Sequence, residues 1–131
     1  MGTWDYRNFD NDDAADFAES FRLNPNEAVL YEALATAAEA DETLELPEAA
    51  EALAAAEIVA AILGHPAPDF LPGLTLAING MDIDDDLAEL ATDAVQAVLR
   101  SSELQQEWAE SEQYEQWQQH QQDLLARLAA E

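Results

Sequence analysis

Apolar residues recur along most of this 131-residue chain at intervals of three and four, the spacing that lines one face of a helix. Ala14, Phe17, Ala18 and Phe21 form the first such series and predict a helix from about Asn11–Asp13 to Arg22. Asn24-Pro25-Asn26-Glu27 then offers a cap, a proline for the first helical position and a glutamate to close a capping box. The second helix predicted from there runs to about Ala38 and buries Leu30, Leu34 and Ala37. After the polar junction Ala40-Asp41-Glu42-Thr43, Pro47 opens a third helix that ends at Leu63, with Gly64 as its stop. Its face of Leu53, Ala56, Ala60 and Leu63 is alanine-rich, so neighbours can approach closely; it belongs at the centre of the fold.

Residues 64–83 hold most of the turn formers and read as a long connection with one short helical turn near Leu74–Ile78. A fourth helix follows Asp84 and carries Leu87, Leu90, Ala94, Val95 and Val98 on one side. Ser102-Glu103-Leu104-Gln105 has the capping-box pattern and restarts the chain as a helix bearing Leu104 and Trp108. Ser111 is placed to cap a last helix marked by Tyr114, Trp117, Gln121, Leu124 and Leu128. Trp4, Tyr6 and Phe9 give residues 1–9 the aromatic density of a segment docked on the body. No strand alternation of comparable strength occurs. The expected architecture is all-α, a compact single-domain bundle of five or six helices over residues 1–131.

Charge changes this picture. The chain has 29 acidic residues against four basic ones, a formal charge of −25, and its basic residues are Arg7, Arg22, Arg100 and Arg127. Such a surface repels phosphates and anionic lipid, so neither nucleic acid nor a membrane is expected as a partner. Without cysteine there is no disulfide, thiolate metal site or cysteine nucleophile. No run approaches the ~18 apolar residues of a membrane span, and the start lacks an export signal. A cytoplasmic protein is expected, and its fold bears a self-repulsion cost unless a divalent metal, a basic partner or ambient salt settles on it.

Oxygen ligands are the abundant ones, and calcium takes roughly six to eight of them. Asp10, Asn11, Asp12 and Asp13 form one loop-borne cluster, although a cap and acids favourable to the helix dipole explain the same residues. Asp41, Glu42 and Glu45 form another, at the junction of the second and third helices. In an antiparallel arrangement that junction lies beside the first cluster, and two acidic loops at one end of a bundle favour a divalent cation between them. Asp82, Asp84 and Asp86 occupy the first, third and fifth positions of an EF-hand loop, but Leu87 and Asp93 stand where glycine and glutamate are required. This is no EF-hand; it is either an acid-rich helix start or a weak second cation site at Asp82 and Asp84.

Other constellations are thin. His120 and Asp123 are one turn apart, but with His65 distant in sequence they make no zinc site, and both histidines read as surface residues. Glu57, set among alanines, is a candidate buried acid, explained structurally by a hydrogen bond to the docked amino-terminal segment. No carboxylate pair stands out for acid–base catalysis, and an enzyme is not expected.

Met1-Gly2-Thr3-Trp4, Phe9-Asp10-Asn11-Asp12-Asp13-Ala14 and Asp16-Phe17 together resemble the start of a bacterial family of unknown function, whose members typically read MGxWGxGxFxNDDAxDF. The run from Glu51 to Ala61 is similar to its central helix, and Ser102-Glu103-Leu104, Trp108, Trp117 and Leu125-Ala126-Arg127-Leu128 to its carboxyl end. Asp5 and Arg7 depart from the pattern, which has glycines there. The family includes a small acidic cyanobacterial calcium-binding protein without EF-hands. The resemblance implies an all-helical fold and Ca2+ bound by surface acids, with Asn11, Asp12 and Asp13 matching the NDD motif and Asp41 in the junction facing it.

The functional expectation is therefore a calcium buffer or sensor. The alternative is an acidic protein that binds a basic protein partner, as a DNA mimic or an immunity-type inhibitor, without a specific metal. A DNA mimic needs about one charge per 1.7 Å of axis, which acids gathered at loops supply poorly. A third reading is adaptation to a salty host cytoplasm.

Overall fold

The computed structural model describes residue 8, residues 11–67, residue 70 and residues 72–129. Among the described residues seven helices follow one another: α1 (Asp12–Leu23), α2 (Glu27–Ala38), α3 (Leu46–Ile62), α4 (Pro72–Ala77), α5 (Asp85–Arg100), α6 (Glu103–Ala109) and α7 (Tyr114–Ala129). The six longer segments match the predicted ones and the seventh is the expected short turn, so the all-α reading stands. A single parallel bridge joins Leu44 and Ser102.

Helix ends follow from local chemistry. Asn11 Oδ1 accepts the Ala14 N–H at 2.8 Å, satisfying one of the free donors of the first turn of α1. The start of α2 differs from the expectation. Asn24 closes α1, its N–H reaching the carbonyls of Ser20 and Phe21, and Asn26 is the cap of α2, accepting from Ala28 N–H at 2.8 Å. Because one asparagine is already used as a C-cap, Pro25 joins the two helices instead of opening the second. The predicted box at α6 forms by half: Ser102 Oγ accepts the Gln105 N–H at 3.0 Å, while the Gln105 side chain turns to the Tyr114 hydroxyl at 2.7 Å.

At the end of α3, Gly64 N–H bonds Ala61 O at 3.0 Å and His65 N–H bonds Ala60 O at 2.9 Å, with Gly64 at φ +97°. This paired closure needs a left-handed residue, and glycine adopts that conformation without a Cβ penalty.

The centre is α3, as its alanines predict. Every residue from Ala52 to Ala61 is buried, so it is covered on all sides, by α1, α2, α5, α6 and α7. Alanine removes bulk that would hold those neighbours away, and larger groups from outside complete the core: Phe21, Leu30, Leu34, Leu74, Val95, Val98 and Leu124. Trp117 lies between Trp108 and Tyr114, with ring centroids at 6.4 and 6.1 Å and near-parallel planes, joining α6 to α7.

Candidate functional site

Two polar regions stand out, one exposed and acidic, the other buried. The acidic one is built at the end of the bundle where α1 starts and α2 passes into α3. The α2–α3 junction is fastened to the α5–α6 link: Leu44 N–H bonds Ser101 O at 3.1 Å, Glu103 N–H bonds Leu44 O at 2.9 Å, and Glu103 Oε1 accepts the Leu46 N–H at 2.9 Å. Thr43 and Ser101 hydroxyls lie 3.2 Å apart. The junction backbone is thus held while Asp41, Glu42 and Glu45 project to solvent.

These three acids line one groove of about 460 Å³ together with Glu48. Glu48 Oε1 also accepts the Glu45 N–H at 3.1 Å, closing the start of α3. One turn further, burial pushes the Glu51 carboxyl above its ordinary pKa, and the charges of Asp13 and Glu48 push it the same way. Asp13 at the start of α1 and the acids that open α3 therefore share one electrostatic neighbourhood, linked through Glu48 to the groove of Asp41, Glu42 and Glu45. On the other side of the junction, Arg100 lines a second cleft of about 340 Å³ with Asp41 and Glu42.

The remaining site residues are distributed as follows. Asn11 is buried and acts as a cap, and Asp12 is exposed in the first turn of α1. Asp10 lies outside the described residues, as do Trp4, Tyr6, Phe9 and Arg7. Asp84 caps α5, its Oδ1 accepting the Leu87 N–H at 2.9 Å, with Asp82 exposed before it. Among the described residues, no group of three or more acidic or histidine side chains is assembled in a metal-holding geometry. The donors suit a hard dication by chemistry, since they are carboxylates, but a cation would have to draw them inward. Glu48 and Glu51 were not singled out from the sequence; their signal was acids at the start of the helix that the acidic junction leads into.

The buried region centres on Glu57, 1% exposed in the middle of α3. Its Oε2 accepts from Asn8 Nδ2 at 2.9 Å and its Oε1 from Arg127 Nη1 at 2.9 Å, while His120 Nε2 lies 3.3 Å from Oε2. Asn8 and Gln121 exchange two hydrogen bonds at 3.0 and 2.7 Å, and Arg127 Nε bonds Asp123 Oδ2 at 2.9 Å. Burial pushes Glu57 up, but hydrogen bonds from His120 and Arg127 and their charges outweigh it, leaving the carboxyl below its ordinary pKa. Burial also works against the Arg127 cation, and its contacts with Glu57 and Asp123 reverse the balance and raise its pKa.

The expected contact between Glu57 and the early segment is present at Asn8. His120 departs from its expectation: it is 16% exposed and faces Glu57, because on α7 it lies beside the buried Gln121 on the side turned to α3. Sequence periodicity marked Gln121 but gave no reason to pair Arg127 with an acid 70 positions away.

No curated protein and no solved structure matches the chain significantly. A family profile does, over residues 2–120, described as a domain of unknown function, DUF4259. The match covers well over half of the sequence, and the chain belongs to this family.

Proposed function

We propose that this protein binds calcium, as a buffer or sensor, with carboxylates drawn from the start of α1, the α2–α3 junction and the first two turns of α3. The observation that carries the reading is the setting of Glu51, whose ionisation is opposed by its own burial and then by the charges of Asp13 and Glu48. Asp41, Glu42 and Glu45 extend this acidic surface along the adjoining groove. A cation gathered there removes a repulsion that the fold otherwise bears. Calcium suits the site better than magnesium, because it accepts irregular coordination and a mixture of carboxylates and water, whereas magnesium demands a near-ideal octahedron.

The test is a melting scan in calcium and in magnesium at matched ionic strength. A ligand held only by the folded state stabilises it by RT ln(1 + [L]/Kd), about 2.7 kcal/mol at a hundredfold excess over Kd. Calcium is expected to raise Tm more than magnesium, and the difference is expected to vanish in D13N/E48Q/E51Q. Equal shifts from the two ions would reduce the effect to screening and refute the proposal.

A further inference from the structure

A second surface lies on the side of α5, where a groove of about 660 Å³ runs between this helix and the ends of α3 and α7. Its acidic wall is regular: Asp85, Glu89 and Asp93 stand at i, i+4 and i+8, all exposed. That spacing covers about 12 Å of helix axis, with about 6 Å between successive carboxylates. Its floor is apolar, formed by Ala88 and Leu63, both half-buried, and by the buried Leu128. Among the described residues none of the three acids has an ion-pair partner: Arg22 pairs with Glu19 and Arg127 with Glu57 and Asp123, while Arg100, at the far end of α5, lines a different cleft.

We infer that this groove docks a basic amphipathic helix of a protein partner. The charge complement is a segment carrying Lys or Arg at i, i+4 and i+8, whose ammonium or guanidinium groups meet the three carboxylates one turn at a time. The apolar floor then takes the small or branched residues beside that basic stripe, the helix-in-groove mode of recognition. A polyanion is repelled, and although one metal ion can take two carboxylates a turn apart, it cannot reach all three over about 12 Å. A flexible polyamine matches the charges but leaves the floor uncovered, so the floor is what points to a peptide. This surface is separate from the acids proposed for calcium and does not depend on them.

The probe is a fluorescein-labelled synthetic peptide of about four helical turns with lysines at i, i+4 and i+8 and leucines beside them, titrated with the full chain at 150 mM salt and followed by anisotropy. D85N/E89Q/D93N is expected to weaken binding about tenfold or more. The charge-matched control E27Q/E32Q/E39Q, exposed acids on α2 and at its C-cap, is expected to change it by less than about threefold. A88R, which sets a cation on the floor, is expected to abolish binding, with circular dichroism verifying that each variant is folded. Absence of binding overturns the inference. So does equal weakening by both triple variants, which would reduce the effect to net charge, or equal affinity for spermine, which would make the floor irrelevant.

Discussion

Replacing Glu57 tests the account of the buried network most directly. Its carboxylate, 1% exposed, receives hydrogen bonds from Asn8 and Arg127 and faces His120. Glu57→Ala removes two bonds to an ionised acceptor, each worth about 1.5–3 kcal/mol. It also leaves the Arg127 guanidinium, 13% exposed, with only the exposed Asp123 as a charged partner among the described residues. Breaking one side of a buried pair costs about 3–5 kcal/mol. For a chain of this size the loss corresponds to a fall in Tm on the order of 10 °C or more. Glu57→Gln keeps an acceptor and is expected to lose less. The E57M/R127M pair removes both charges at once and is expected to be more stable than E57A, since an apolar replacement of a whole buried pair is often neutral or better. Urea unfolding of the four proteins gives the comparison. An E57A loss below about 1 kcal/mol, or a double variant no more stable than E57A, would refute the reasoning.

Stability should follow a dome in pH. Glu51 has a raised pKa, so its ionisation opposes folding and stability rises as pH falls from neutrality through that raised value. Glu57 is depressed, so its contribution is complete above the ordinary carboxylate pKa and is lost as pH falls through its lower folded value. Chemical denaturation across pH 3 to 8, roughly the range that spans carboxylate titration, should place the maximum on the acid side of neutrality, and E51Q should flatten the neutral limb. Gly64→Ala meets no atom within 4 Å, so its cost is conformational alone, about 1–2 kcal/mol, measurable by thermal melting. Trp117→Ala empties the middle of the three-ring stack and should cost about 3–5 kcal/mol, together with the near-ultraviolet dichroism of that stack.

Local chemistry made most of the fold legible. Period-3.6 apolar positions located α2, α3, α5 and α7, and the central place of α3 followed from alanines that leave room on every side. Where the reading slipped, one residue type had two possible uses: Asn24 and Asn26 both suit a cap, and only the end of α1 decides between them. The candidate cation face was half legible. Asp41, Glu42 and Glu45 are legible as a loop cluster, whereas Glu48 and Glu51 are ordinary acids of the first two turns of α3 until the start of α1 is packed beside them. The Glu57–Arg127 pair was least accessible, because nothing in local sequence encodes a contact across 70 residues.

The placement of Glu57 bears on how the molecule opens. An early residue, Asn8, and the last helix both end on one carboxylate at the midpoint of the chain's most enclosed helix. Releasing either strap alone would leave the anion short of donors in a dry interior, so piecemeal fraying at the two extremities is penalised. Amide protons of α7 around Gln121 should therefore exchange with solvent at rates close to those of α3, both segments opening as one cooperative unit.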